Sequence, residues 1–330
     1  IHVVSREERS VREVEADMQA LFAEARLART RLQAVANELR EGRGATSMKA
    51  KSGENAKSTE EIDRQLYDGL HGLYRQLVLP VEDMLDGYEH VYFVPSGALA
   101  EVPFSSLVTK RGERNRFLVE DHAVGLMPSL YLVHVYLTHL GSASEQMLIF
   151  GDPDGSLPGA RKEAEEIRDH VPMITEMRIG DAADYATFAE LGPLSRAVHL
   201  ATHGVLDAVA PEESYLLLSG NRKLKLIDIQ LMDFSDTDLV FLSACETGLG
   251  GQGIEFQTLS RAFAHAGVPT VAATLWQVSD AATLDLATRF YDHYEDDAVV
   301  AMAEAQRVMI AEGRFAHPAA WAGFSIMGMP

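Results

Sequence analysis

Residues 239–248 read LVFLSACETG, an apolar run that leads into Cys245, the single cysteine of the chain, and then into a glycine-containing turn. A second apolar run, AVHLAT at 197–202, leads into His203 and Gly204. Short runs rich in β-branched and aromatic residues predict buried strands. Two strands that deliver a histidine and a cysteine at their carboxyl ends provide the base and the nucleophile that a thiol-dependent hydrolase needs.

The remainder of the chain after His90 predicts a parallel α/β sheet. Apolar runs at 91–94, 147–150 and 270–274 alternate with segments of helical periodicity. The helical segments are 129–140, 160–170, 183–191, 256–266 and 280–295. Near-continuous apolar strands separated by helices are typical of a mostly parallel sheet with helices on both faces. Ligands bind at the carboxyl ends of such strands, so neighbouring strands would bring the histidine and the cysteine into one cleft.

The chemistry of this pair follows from the properties of a thiol. A thiol is mostly protonated at neutral pH, and a nearby imidazole can take its proton. The backbone N–H groups of Gly204 and Cys245 are candidates for an oxyanion site. Alternatives stay open at this point: a single buried cysteine or strand histidine is often a core residue, and His199 and His203 would share a strand face with only one of them catalytic. A metal site of two histidines and the cysteine would lack a dense ligand cluster.

Residues 1–88 predict a helical N-terminal region. Apolar residues alternate at spacings of three and four over 8–40, the seam of a long helix. Residues 42–57 are small and polar and predict a flexible linker. Ser58 and Glu61 form a capping-box pattern that would begin a second helix, so the two helices would form a hairpin.

Composition narrows the function classes. The formal net charge of −20 argues against direct binding of nucleic acid and against anionic membranes. One cysteine cannot form an internal disulfide, which favours a reducing, cytoplasmic location. No apolar run has the length of a membrane span. The glycine-rich segment 248–253 has neither the spacing nor the lysine of a phosphate-binding loop, so we interpret it as a mobile active-site loop and predict no cofactor and no metal.

The segments HLATHG at 199–204 and LSACETG at 242–248 strongly resemble the signature pair of the CHAT domain, a family similar to caspases, separases, gingipains and clostripain. Further segments fit the same pattern in the same order over residues 90–330. They are VPSGAL (94–99) with VPF (102–104), LPGA (157–160), LSRAF (259–263) with AG (266–267), LWQVSD (275–280), and HP (317–318) with WAGF (321–324).

The resemblance implies a caspase-like fold and hydrolysis of peptide bonds by a Cys–His dyad. His203 would be the general base, Cys245 the nucleophile, and Gly204 would lie at the oxyanion site. Residues 89–180 would form a degenerate, pseudo-caspase half and residues 181–330 the catalytic half.

The resemblance says least about which P1 residue the protein would prefer. Some relatives have an acid two residues before the nucleophile, where this chain has Ser243. Asp280 resembles the acidic S1 residue of separase-like members, which would select Arg or Lys at P1, but it could equally be the N-cap of the following helix. Trp276 would either wall the substrate pocket or pack in the core.

The sequence therefore predicts a cysteine endopeptidase of protein substrates. A partner or ligand would regulate it, with the N-terminal helices as a docking element for an activating partner or sensor. The family resemblance implies a setting that includes bacterial defence. The competing hypothesis is a non-catalytic CHAT-like interaction module, and the retention of both dyad residues and their glycines weighs against it.

Overall fold

The computed structural model describes residues 11–40, 54–127, 129, 141–205, 207, 210–244 and 254–328, with backbone only at 11–15, 54–60 and 254–257. Its helices are α1 (Val11–Arg40), α2 (Glu54–Leu77), α3 (Pro158–Ile167), α4 (Tyr185–Leu191), α5 (Leu226–Gln230), α6 (Ile254–His265), α7 (Asp280–His293), α8 (Ala298–Glu312) and α9 (Pro318–Trp321). Its strands are β1 (His90–Phe93), β2 (Val108–Lys110), β3 (Arg116–Phe117), β4 (Ala123–Leu126), β5 (Gln146–Gly151), β6 (Ile174–Ile179), β7 (Ala197–Ala201), β8 (Gly204–Val205), β9 (Tyr215–Leu218), β10 (Arg222–Lys225), β11 (Leu239–Leu242), β12 (Thr270–Thr274) and β13 (Phe324–Gly328).

The centre of the fold is an eight-stranded sheet in the order β1-β4-β13-β12-β11-β7-β5-β6. Every neighbouring pair in it is parallel except β12 with β13. Strands β5, β7, β11 and β12 therefore point the same way, and their carboxyl ends meet at one edge. The mostly parallel α/β sheet predicted from the sequence is confirmed.

The central strands are apolar along their whole length because helices cover both faces of the sheet. Strands β7 and β11 are completely buried. On one face α3 packs against β5 and β7 and also against α7, while α8 packs on β4. On the other face the ring of Phe188 in α4 meets Phe150 of β5 edge to face, 5.8 Å between centroids. Because the central strands are buried on both faces, the residues at their carboxyl ends are held in fixed positions.

The two N-terminal helices pack on each other as predicted. Arg31 of α1 donates to the carbonyl oxygen of Gln65 in α2 at 2.9 Å, and Ala25 and Leu32 of α1 and Leu66 of α2 are fully buried. The predicted start of the second helix is wrong. Helix α2 already includes Glu54, so the capping-box serine lies inside the helix, and the predicted linker 42–57 is helical over 54–57; residues 42–53 lie outside the described residues.

A small three-stranded sheet, β10-β9-β8, stands beyond the end of β7. Its β9–β10 hairpin turns at Gly220 and Asn221, both with positive φ, which a Gly-Asn pair readily adopts. Strands β4, β6 and β13 of the large sheet and the short strands β2, β3 and β8 are additions to the prediction. The predicted helix at 129–140 falls, apart from its first residue, outside the described residues. The boundary at 180 between a degenerate and a catalytic half stays a prediction.

Candidate active site

The ends of β7 and β11 carry the residues on which the sequence argument depends. The two strands are parallel neighbours, with Phe241 opposite His199. His203 lies two residues beyond the end of β7, just before β8, and Ser243 and Ala244 follow β11. A Cβ atom placed on Gly204 would lie 3.2 Å from the carbonyl oxygen of Ala244, so the glycine permits a close approach of the two segments. Residues 245–253 lie outside the described residues, and they include Cys245 and the glycine-rich segment.

The imidazole of His203 contacts the loop that follows β5. Its Nε2 lies 2.6 Å from the hydroxyl oxygen of Ser156 and 3.6 Å from a carboxylate oxygen of Asp154. The Ser156 hydroxyl and its backbone N–H both reach Asp154 Oδ1, at 2.7 and 3.1 Å. The side chain of His203 is 15% exposed, so the ring stands at the edge of a cleft rather than inside the core.

The loop that bears Ser156 is held against the sheet by Asp152. The backbone N–H of Asp152 donates to the carbonyl oxygen of Ala201 at the end of β7, 3.0 Å away. Its carboxylate accepts the N–H of Leu157 at 2.7 Å and the Nε of Arg161 at 3.1 Å. Positive φ angles at Asp152 and Gly155 give the loop its sharp turns. The backbone and the carboxylate of Asp152 thus hold the loop, and with it Ser156, in place beside His203.

A cleft opens at this edge between α3 and the start of α7. The residues that line it are Leu157, Gly159, Ala160, Glu163, Thr202, His203, Ser243, Gln277, Val278, Asp280 and Thr283. Two of these carry carboxylates, Glu163 and Asp280, and none of the lining residues that the structure describes is a lysine or arginine. The cleft is therefore suited to a cationic group.

Glu163 belongs to a buried polar cluster beneath the cleft. Its Oε2 accepts the hydroxyl of Ser243 at 2.9 Å, and its Oε1 lies 3.2 Å from Nε2 of His199. The other ring nitrogen of His199 lies 3.0 Å from the hydroxyl of Tyr291 in α7. His199 is 0% exposed and stacks on Phe241 with 5.0 Å between ring centroids. Burial raises the pKa of Tyr291 well above its ordinary value, so this hydroxyl stays protonated.

The two residues proposed for specificity, Asp280 and Trp276, have different surroundings in the structure. Asp280 lines the cleft in the first turn of α7, and Gly159 leaves the space that its carboxylate occupies. It is not the N-cap, because Ser279 holds that position and accepts from the backbone N–H of Ala282. Trp276 is 1% exposed, and its indole N–H donates to the carbonyl oxygen of Ala319 at 3.0 Å. It does not line the cleft described above.

Asp154, Ser156 and Glu163 were not predicted from the sequence. The first two follow a strand end of the same parallel set, so the rule that placed His203 at the cleft applies equally to the DGS segment after β5. Glu163 was hidden in a glutamate-rich helix, although its spacing of four from Gly159 and Ile167 puts it on the buried face. Within the described parts of the chain, no three His, Asp or Glu side chains gather in a way that could hold a metal ion, and no helix is long and apolar enough to cross a membrane.

The fold of this chain is similar to that of caspase-like cysteine proteases. The chain superposes on the Saccharomyces cerevisiae separase–securin complex with a TM-score of 0.50 and 15% identity, over 73% of this chain and 16% of that chain. It superposes on the Arg-specific cysteine proteinase gingipain R (RGPB) with a TM-score of 0.54 and 9% identity, over 80% of this chain and 67% of that chain. At these identities the likeness concerns the fold alone.

The sequence family is shown directly. The CHAT domain model matches residues 67–329, and the chain belongs to that family. It is also 25% identical over 328 residues to the mouse protein tetratricopeptide repeat protein 28, a match that spans 78% of this chain and 13% of the relative. The chain therefore spans only about 13% of the length of that relative and 16% of the separase chain.

Proposed function

We propose that this protein is a cysteine endopeptidase in which Cys245 is the nucleophile and His203 the general base. The observation that carries the proposal is the close approach of Gly204 to Ala244. These are the residues immediately after the histidine and immediately before the cysteine, and consecutive Cα atoms are only about 3.8 Å apart. Strand ends that meet in this way favour a short path between the imidazole and the thiol.

The proposed reaction is acyl transfer through a thioester. His203 takes the proton of the Cys245 thiol, and the thiolate attacks the carbonyl carbon of the scissile peptide bond. The backbone N–H groups of Gly204 and Cys245 are the proposed donors to the oxyanion that forms. The imidazolium returns its proton to the leaving amine as the C–N bond breaks. Water, deprotonated by His203, then hydrolyses the thioester and regenerates the thiol.

We further propose that the cleft selects a basic P1 side chain. Asp280 and Glu163 line it without a competing cation among the lining residues. The carboxylate of Asp280 is the proposed partner for the cation, since Glu163 is already bonded to Ser243. Trp276 is too deeply buried to serve as a pocket wall, and we propose only a packing role for it.

Regulation through the N-terminal helices is supported by a contact between α1 and the cleft-lining segment. Nη2 of Arg29 donates to the carbonyl oxygen of Leu275, 3.1 Å away, two residues before Gln277 of the cleft. Arg29 also pairs with the buried Glu101, 3.6 Å away. A partner protein that moved α1 would therefore act on the cleft. A reducing, cytoplasmic setting suits the thiol, and a role in bacterial defence stays a prediction.

The test is a comparison of new protein N-termini after incubation with a cell proteome. We expect cleavage after Arg or Lys by the wild-type protein, no cleavage by Cys245→Ala, and a loss of basic P1 preference in Asp280→Asn. Asp285→Asn, on the same helix but bonded to Arg289, is the matched control. Cleavage by Cys245→Ala at the wild-type rate would refute the proposed nucleophile.

A further inference from the structure

The loop after β5 touches the catalytic imidazole through a hydroxyl rather than through a carboxylate. Ser156 Oγ lies between His203 Nε2, at 2.6 Å, and Asp154 Oδ1, at 2.7 Å. Both distances are within hydrogen-bond range, and the serine has only one hydroxyl proton for the two bonds. The direction of each bond therefore decides where the protons of the imidazole are.

The direction is set by the charge of Asp154. Burial by itself would raise the pKa of this carboxyl, but the hydrogen bonds from the hydroxyl and backbone N–H of Ser156, together with the nearby His203, lower the pKa below its ordinary value. At neutral pH Asp154 is ionised and can only accept. The Ser156 hydroxyl must then donate to Asp154, because two oxygens 2.7 Å apart with no proton between them would repel.

We propose that Asp154 and Ser156 are positioning residues that fix the tautomer of His203. Since the Ser156 proton is used on Asp154, Ser156 Oγ can only accept from His203, and Nε2 carries the ring proton. The lone pair of the neutral imidazole is then on Nδ1, which makes Nδ1 the atom that takes a proton. This inference rests on the proposed function, in which that proton comes from the Cys245 thiol.

The same arrangement stabilises the charged form of the base. When Nδ1 accepts the thiol proton, Nε2–H stays bonded to Ser156 and the ring becomes an imidazolium. The carboxylate of Asp154, 3.6 Å from Nε2, is the nearest anion to it in the described structure. The loop does not have to move for this to occur, because Asp152 already holds it against the end of β7.

Replacing the two residues separately and together distinguishes hydrogen-bond direction from simple packing. In Asp154→Ala the Ser156 hydroxyl regains its proton for Nε2 and favours the tautomer with hydrogen on Nδ1, which cannot act as a base. We expect kcat/KM to fall about 30-fold in Asp154→Ala and about fivefold in Ser156→Ala. The double variant should fall only about fivefold, so that Ser156→Ala partly rescues Asp154→Ala.

The chain contains a matched control for this experiment. Asp233 and Ser235 form the same Asp-x-Ser turn, with the serine N–H 3.1 Å from Oδ1 of the aspartate and a lowered pKa of Asp233 from the hydroxyl of Ser235. That turn precedes β11, at the opposite edge of the sheet from His203. Asp233→Ala and Ser235→Ala should change kcat/KM by less than about twofold.

A nitrogen-15 NMR measurement tests the inference without any substrate. With ¹⁵N-labelled histidine, and with His203→Gln to assign the signals, we expect a ring protonated on Nε2 in the wild-type protein and a shift toward Nδ1 in Asp154→Ala. An Nδ1-protonated ring in the wild-type protein, or additive losses in the double variant, would overturn the inference. If the tautomer is as expected but the protein cleaves nothing, the inference stands and the proposed protease activity fails.

Discussion

Two histidines four residues apart on the same strand and its extension have opposite surroundings. His199 is fully buried, with Glu163 and Tyr291 at its two ring nitrogens and Phe241 stacked on its face. His203 stands at the cleft edge beside Ser156. Each has an acid and a hydroxyl nearby, so residue type alone does not separate them. Exposure to the cleft does, because a base must reach the group that it deprotonates.

The acids beside the two histidines differ in the same way. Glu163 is buried beneath the cleft, where its oxygens serve Ser243 and lie next to His199. Asp154 is about one-third exposed and reaches His203 through Ser156. The inner group is suited to holding α3, β7 and β11 together, and the outer group to tuning a base. Substitutions at the two positions should therefore affect different quantities.

The largest effect is expected at the outer histidine. His203→Gln should lower kcat/KM by about 10²- to 10⁴-fold, the usual contribution of a general base. The free energy of unfolding should change by less than about 1 kcal/mol, because the side chain is partly exposed. Steady-state kinetics on a peptide taken from the proteome experiment, with a urea titration of the same sample, measures both.

Two results would contradict the role proposed for His203 in its contrast with His199. Near-normal cleavage by His203→Gln would remove the base from the proposed mechanism. A large loss of stability would mean that the ring is a structural residue like His199.

The sequence predicted the outer histidine but not its surroundings. Apolar runs reveal strands, and the rule for parallel sheets places their ends together, so His203 and the end of β11 could be predicted to meet. The contact with Ser156 could not, because it depends on positive φ at Asp152 and Gly155 and on a side-chain cap. Such turns leave no periodic pattern in the sequence.

The strands that were missed have a different cause. Strand β6 is an edge strand with no fully buried residue, and so lacks the apolar run that identifies a central strand. Strand β13 is the antiparallel member of a parallel sheet and contains glycine and serine. The capping pattern at Ser58 does not mark the start of α2, because the residues from Glu54 onward already continue the helix.

An intermediate effect is expected at the inner histidine, on stability rather than on catalysis. His199→Phe keeps an aromatic ring, slightly larger than the imidazole, against Phe241 but leaves Glu163 and the hydroxyl of Tyr291 without the ring nitrogens. A buried polar group that loses its partner costs about 1–3 kcal/mol. The free energy of unfolding in urea should fall by about 3 kcal/mol, while kcat/KM of the folded protein changes less than about threefold.

His170 provides the control for this variant. It contacts Asp292 at 2.7 Å on the surface, and exposed ion pairs contribute at most about 1 kcal/mol. His170→Gln should therefore be nearly neutral. If His199→Phe is equally neutral, the inner cluster does not hold the sheet and helices together, and the contrast between the two histidines is one of exposure alone.

The smallest effect is expected at the hydroxyl that contacts His199. Tyr291→Phe removes one buried hydrogen bond and should lower the free energy of unfolding by about 1 kcal/mol, without a change in KM. In the His199→Phe background the same substitution should cost almost nothing, since its partner is already gone. Urea titrations of the four proteins give this coupling energy directly. Equal costs in both backgrounds would show that the hydroxyl does not depend on His199, and the inner cluster would then reduce to Glu163 and Ser243.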